Sequence, residues 1–487
     1  MNSLELSVRR TGMFLRPDCS RVLLRPFFPA SLERAERIVR RVVNLGEDEA
    51  AALLEQVMGE FSGRHARMEV FLQRRHAQLE RILSLNLSLS SAKRFLVAAY
   101  FTQEYSLESA ALFNPSIMPH PDQSSLSPGA LRFILSLRAT GEGHISSLTF
   151  RSGVIDADGG VRCDVPARFV SEPAVIPNSS YNKELFGRKL SEVGLDNELS
   201  RGILLCLPDF FSMRELEDRL SMAFEETAGA APSENEHILR GIRMLAQSNF
   251  EVEFEAGGDL SERAIFPVSP SQINGIEDAR FVCFDDDDGK RYYATYTAFD
   301  GKMALSQMLE THDFLHFKFN TLNGMAVQNK GMALFPKKIN GCHAMLSRQD
   351  NENIFLMFSD NIHFWHSAEV ILRPKHSWEF VQLGNCGSPI ETEHGWLVLI
   401  HGVGPMRKYC LGAFLLDLHD PRKVIGRLRE PLLKPDASER EGYVPNVVYT
   451  CGALVHRGLL IIPYATSDQA STFASIPLEN IFEAMES

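Results

Sequence analysis

Apolar positions change period three times along the chain. From about residue 30 to 105 they recur every three to four residues, the helical spacing. Ser31 is placed to cap a first helix with Glu33 and Glu36 in its opening turns, followed by Arg34-Ala-Glu-Arg-Ile-Val-Arg-Arg-Val-Val. A second helix is expected from Asp48 to about Met58, and a third through Met68, Val70, Phe71, Leu79 and Ile82. From Phe113 onward the pattern becomes short β-runs broken by polar turns. Helical spacing returns between about 182 and 247, from Leu185 to Leu195, from Ser212 through Leu220 and from His237 through Leu245. Ala228-Gly-Ala-Ala-Pro-Ser-Glu-Asn reads as a loop within that stretch. A last short helix is expected from Leu478 to Met485.

Within the β region a single unit recurs five times. A turn holding Gly129, Gly289, Asn353, Gly395 or Gly458 precedes an apolar strand: Leu131–Arg138, Tyr292–Thr297, Ile354–Ser359, Trp396–His401 and Leu459–Ala465. Such recurrence is the mark of a radial repeat, in which one strand end per unit meets a central axis. Arg138, Thr297, Ser359, His401 and Asp468 would then line one funnel. The expected architecture is mainly β: a five-bladed β-propeller over 109–480, preceded by a helical region over 1–108. A helical insertion at 182–247 separates the first and second blades and serves as a lid or an oligomer contact, and a helix closes the chain at 478–487.

Composition narrows the function classes. With 487 residues, 44% of them hydrophobic, a large core is available. The net charge of -12 speaks against a nucleic-acid partner. The chain contains no apolar run of ~18 residues that would span a membrane. Nor does it open on a basic start followed by an apolar block, the mark of a secretory signal. Eight cysteines lack CxxC spacing and several sit inside apolar strands as small buried hydrophobes, which reads as a reduced, cytoplasmic protein. His312, His316, His363 and His366 form no dense ligand set, so no metal is expected. Cys342-His343 places thiol and imidazole on opposite faces of a strand. Trp365, Trp378 and Trp396 are expected to pack the core. The basic run Arg64, Arg67, Arg74 and Arg75 reads as a solvated or ion-paired helix face. Asp285-Asp-Asp-Asp-Gly289 reads as a hairpin turn rather than a calcium loop, since no glutamate follows at EF-hand spacing.

Asn274-Gly-Ile-Glu-Asp278-Ala-Arg280 carries the most specific chemistry. A carboxylate held between a turn and an arginine sits at a strand entrance with its ionisation tuned by that cation. Asn114-Pro-Ser116 is a polar turn ahead of another strand. Lys330, Arg348, Arg138 and Arg151 recur near strand ends, and facing one axis they would bind an anion or a polyhydroxylated ligand.

Several of these strings resemble glycoside hydrolase family 130, the β-mannoside phosphorylases. They are Gly275-Ile-Glu-Asp-Ala-Arg-Phe281, Tyr293 through Asp300-Gly301, Asn329-Lys-Gly331, Phe335-Pro-Lys-Lys-Ile339, Gly395 through Val403, and Pro445 through Gly452. The resemblance runs from roughly 110 to 480 and implies a five-bladed propeller with no cofactor and with inorganic phosphate as co-substrate. It places Asp278 on the general acid, with Ala279 in place of the motif's proline. That acid relays a proton through a mannosyl hydroxyl while phosphate attacks the anomeric carbon with inversion, giving α-mannose 1-phosphate. It implies sugar contacts at Asn114, Ser116, Arg138 and Asp468. Arg151, Arg280, Asp300 and His401 are expected as further substrate-site residues. Lys330, Arg348 and Tyr409 fall on phosphate-site positions.

Two departures keep an alternative open. Pro389-Ile-Glu391-Thr392 carries a glutamate where phosphorylases have lysine, and the loop after His401-Gly-Val403 is short. A carboxylate beside a phosphate dianion is repulsive, yet Glu391 could serve as the base for water in an inverting β-mannosidase. A non-catalytic carbohydrate-binding propeller is the third reading. Exposed faces on the helical segments lead us to expect a homo-oligomer.

Overall fold

The computed structural model describes residues 6–83, 88–176, 180–227, 234–286, 289–301 and 304–486. Of the loop expected at 228–235, residues 228–233 lie outside these residues, as do the two central aspartates of the 285–289 turn, and Glu234 and Asn235 already belong to a helix. Asp286 does pair with Gly289 across a hairpin, as a turn at that point requires.

The molecule is mainly β. Strands Ala111–Pro119, Leu131–Thr140 and Ser146–Ile155 form one antiparallel group, and Gly275–Asp286, Gly289–Phe299, Ala304–Thr311 and His316–Thr321 a second. A single parallel pair, Gly275 with Ser146, joins them into one eleven-stranded sheet. A third group holds Lys330–Leu334, His343–Arg348, Ile354–Ser359 and Glu369–Leu372. The fourth is built on Gln382–Asn385, Gly395–Val403, Tyr409–Leu416 and Val424–Leu428. The fifth contains Val448–Tyr449, Leu459–Thr466 and Ala470–Pro477.

Apolar packing arranges these groups cyclically. Met118, Ile134 and Phe150 of the first pack with Phe281 and Ala294 of the second. Val282, Phe284 and Tyr293 meet Met332, Met345 and Trp365 beside the third. Phe335, Leu346 and Leu356 meet Trp396 and Val398 of the fourth, whose other face, through Leu397, Leu399 and Leu411, packs on Leu460 and Ile462. Ile461 and Phe473 of the fifth then return to Leu112, Ile117 and Phe133 of the first. Each fully buried Leu or Phe here is worth roughly 1.5–3 kcal/mol. Trp365 and Trp396 are fully buried and Trp378 nearly so, as expected.

The N-terminal region carries the expected helices, Leu32–Val43, Glu47–Phe61 and Met68–Ile82, and also Ser91–Tyr100. Ser31 accepts the N-cap bond from Arg34. Arg64 pairs with Glu104 and Arg67 with Glu255, while Arg75 is buried and bonds two backbone carbonyls. Helical spacing did not register three strands here. Val22–Pro26 pairs with Thr102–Ser106, and Arg9–Leu15 pairs with Ala470–Pro477, so the start of the chain completes the fifth group. The insertion forms helices Lys183–Glu192, Glu198–Leu205, Met213–Thr227 and Glu234–Gln247 around their own apolar cluster.

Four of the five recurrent strands are the second of their group, and their C-terminal ends point the same way. Ile354–Ser359 is the third, which reverses its direction. Its far end, Ser359, pairs with His343, whereas Arg348 at the opposite end of His343–Arg348 pairs with Lys330. Ser359 is therefore at the end of the sheet away from the other four funnel residues.

Candidate active site

Three strands change register at the same end of the fold: between Phe113 and Ser116, between Glu277 and Arg280, and between Lys330 and Ala333. Bulges re-aim side chains that a regular pleat would alternate between faces. The irregular backbone shows in the torsions. Asn114, Asp278, Asn329, Arg407 and Asp468 all have positive φ, between 48° and 60°. Non-glycine residues in this region cost free energy and collect at functional sites.

At the first two bulges the carboxylates gather. Asp278 Oδ1 accepts from Asn114 Nδ2 at 2.7 Å and from Arg138 Nη1 at 3.2 Å. Arg138 Nη2 donates to Glu277 Oε1 at 2.9 Å, and its Nε to Ser146 Oγ at 2.8 Å. The guanidinium lies over the Phe113 ring, 4.9 Å from its centroid. Burial alone would raise the Asp278 pKa, but the charges of Arg138, Arg280 and Lys330 outweigh it and hold the carboxyl well below its usual range. Asp468, beyond the end of Leu459–Thr466, goes the other way. Burial and the Asp278 charge push its pKa up to about 6 against the pull of Arg138 and Arg407. Two carboxyl groups of one site are thus driven apart in proton affinity.

Beside them is an excess of buried cations. Arg280 donates to the Cys386 carbonyl at 2.8 Å, the Asp278 carbonyl at 3.0 Å and the Tyr449 hydroxyl at 2.7 Å. Arg348 is buried and donates from Nη1 to His401 Nε2 at 3.0 Å, while its Nε finds no partner. Among the described residues it makes no ion pair, although buried cations are normally matched by an anion. Burial and the neighbouring guanidinium of Arg348 hold the His401 pKa well down, so its neutral ring accepts at Nε2. The imidazole stacks on Tyr409, with ring centroids 5.8 Å apart. Gly384 leaves room for the pair, since a Cβ there would lie 2.5 Å from the His401 ring and 2.9 Å from Arg348 Cδ. Lys330 Nζ stands 3.8 Å from Glu277 Oε2 and bridges the two clusters. Asn385 Oδ1 and Asn114 Oδ1 are also buried without partners, as expected of a polar site that holds its ligand through them.

Besides Arg280 and His401, which act through Asp278 and Arg348, four expected site residues stand apart from the two clusters or beside them. Arg151 is buried with Arg21 around Glu108, whose carboxylate accepts from both at 2.7 and 2.8 Å. A strand-end position near the axis was the basis for expecting it in the site, but its side chain turns into this closed triad. Glu391 is exposed on Ile390–Thr392 and pairs with Lys337 at 2.7 Å, apart from the carboxylate and cation clusters. A base for water therefore has no support at that position. Ser116 is fully buried and accepts from the Phe281 amide at 3.0 Å, which locks two inner strands together rather than meeting a ligand. Asp300 is half-buried at the end of Gly289–Phe299, next to the turn that leads into the Asp278 strand.

Glu277, Asn385 and Tyr449 were not singled out from the sequence. Glu277 was masked by its neighbour, because adjacent strand residues normally face apart. Tyr449 sits in a string that carries the family resemblance, and a hydroxyl among apolar strand residues was the available signal.

The chain matches the family model described as β-1,4-mannooligosaccharide phosphorylase over residues 252–487. It is 36% identical over 220 residues to a 1,2-β-oligomannan phosphorylase of Thermoanaerobacter sp. (strain X514), covering 43% of this chain and 71% of that protein. To a β-1,2-mannobiose phosphorylase of the same organism it is 36% identical over 217 residues, 44% of this chain and 70% of the relative. A β-1,2-mannobiose phosphorylase of Listeria innocua serovar 6a is 30% identical over 230 residues, 46% of this chain and 63% of the relative. Asp278, Lys330, Arg348, His401, Tyr449 and Asp468 all fall inside the matched region, and by that match the chain belongs to glycoside hydrolase family 130.

Proposed function

We propose that the protein is an inverting β-mannoside phosphorylase that converts β-linked manno-oligosaccharides and inorganic phosphate to α-mannose 1-phosphate. The observation that carries this reading is the buried Arg348, unpaired with any carboxylate among the described residues and aimed by His401, a few side chains from a carboxylate cluster that can hold a sugar. An oxyanion supplied from solution completes the charge balance there. Asp278 is the acid. Asn114, Arg138 and Asp468 hold the mannosyl unit, Lys330, Arg348 and Tyr409 hold phosphate, and Arg280 fixes the Asp278 backbone.

The proton balance suits phosphorolysis. Hydrogen phosphate forms the new C–O bond as the glycosidic C–O bond breaks, and the proton it gives up ends on the departing sugar oxygen. Asp278 needs to carry that proton only in the loaded site, where the dianion offsets the cations that keep it ionised in the free enzyme. No metal or organic cofactor is called for.

The cyclic packing of five sheet groups supports a five-bladed propeller over 109–480, carrying the insertion at 182–247, after a helical N-terminal region. Among the described residues no helix is long and apolar enough to cross a membrane. A cytoplasmic homo-oligomer is the working expectation.

The two relatives of 36% identity are named for β-1,2-linked substrates, so β-1,2-mannobiose is the first substrate to try, with β-1,4-mannobiose beside it. Incubation with and without phosphate decides the reaction. Phosphate-dependent release of mannose 1-phosphate is expected. Free mannose formed at the same rate without phosphate would replace phosphorolysis by hydrolysis.

A further inference from the structure

A second cavity, of about 290 Å³, lies between the helical insertion and the outer edge of the large sheet. On the insertion side it is walled by Tyr181 and Phe210, which belong to the paired strands Ser180–Asn182 and Phe210–Ser212. The opposite wall is Asn320 and Asn323 with Asn361 and His363. It shares none of its lining with the Asp278 and Arg348 clusters.

Two polar atoms in its walls are buried without a partner, Asn320 Nδ2 and His363 Nδ1. Leaving such atoms unpaired costs ~1–3 kcal/mol each, which a ligand could recover. The Phe210 ring is 65% exposed, unusual for a large apolar side chain. The lining carries two cations and no carboxylate: Lys189, which is paired with Glu192 at 3.0 Å, and Lys318. Burial pushes His363 down to about 4, so it is neutral under ordinary conditions.

We propose that this cavity is an accessory carbohydrate site that takes one pyranose unit of a neutral oligosaccharide. Hydroxyl groups both donate and accept, which matches carboxamides and a neutral imidazole. The apolar face of the ring lies on Phe210, and the cavity is at the small end of ligand sites, sized for a sugar residue rather than a chain. An anion would have Lys318 alone to balance it, since Lys189 is already paired with Glu192, and an apolar ligand would leave the amides unsatisfied. That the sugar is mannose rests on the function proposed above; the polyol class does not.

The test is calorimetric titration of full-length Asp278→Asn protein with β-1,2-mannotriose, and with gluco- and galacto-configured disaccharides. Two binding events are expected for mannotriose, one of them weakened about tenfold or more by Phe210→Ala and by Asn320→Leu. In otherwise wild-type protein, Phe210→Ala should leave mannobiose turnover unchanged. Phe210 is largely exposed, so its variant folds even if Asn320→Leu does not. A gluco or galacto sugar lost with Phe210→Ala keeps the cavity site and removes the mannose assignment. A single event for every sugar, insensitive to Phe210→Ala, overturns the proposal.

Discussion

Glu277 and Asp278 are neighbours in the chain, yet both carboxylates bond one guanidinium, Arg138, at 2.9 and 3.2 Å. A regular strand would send them to opposite faces. The bulge, with Asp278 at φ 54°, brings them to the same side and also leaves the Asp278 carbonyl for Arg280.

Asp278→Asn should keep this arrangement and lose the proton donor. The expected result is a fall in kcat of ~10²–10⁴, with mannobiose affinity retained. Turnover and sugar binding measured on one preparation separate the two effects.

The Arg348–His401 pair predicts a separation of substrates. His401→Phe removes the acceptor that aims Arg348, and Gly384→Ala drives a methyl group into the same space. Each should raise the KM for phosphate about tenfold, the worth of one charge-assisted hydrogen bond, with little change in the KM for mannobiose. Initial rates with each substrate varied in turn check it.

Stability should respond to pH through Asp468. Its folded pKa of about 6 lies above the ordinary aspartate value, so between those values the unfolded chain ionises first and stability falls as pH rises. Above about pH 6 that loss is complete. Asp468→Asn should therefore stabilise the free protein by about 1–3 kcal/mol at pH 8 and by almost nothing at pH 4, while impairing turnover. Denaturant unfolding of both proteins at the two pH values reads the difference.

Glu108 and Glu391 make a contrasting pair. Glu108→Gln leaves Arg21 and Arg151 buried without their counter-charge and should cost about 3–5 kcal/mol of stability, with Michaelis constants unchanged. Glu391→Gln removes only an exposed ion pair and should alter kcat by less than about twofold. A collapse of activity in Glu391→Gln would restore it as the base.

Much of this was legible in the chain because it is local. The helices from Leu32 to Ile82 follow from apolar spacing and the Ser31 cap, and four of five recurrent strands end toward one site. Ile354–Ser359 misled because its place within the sheet, third rather than second, sets its direction, and nothing within the strand encodes that. Arg151 misled for a related reason: Glu108, which captures it, and Arg21, which shares that carboxylate, lie 43 and 130 positions away.

Taken alone, the chain establishes the β-rich architecture, the interposed helices and the family motifs, and it singles out the Asp278 carboxylate as the candidate acid, since these depend on short-range pattern and residue type. Which cations face that carboxylate, which are consumed in a closed triad, and that Arg348 is left without a counter-ion among the described residues were decided by packing. Charges separated by tens to hundreds of residues interact only after the sheets have brought them within a few ångströms and excluded the water that would screen them.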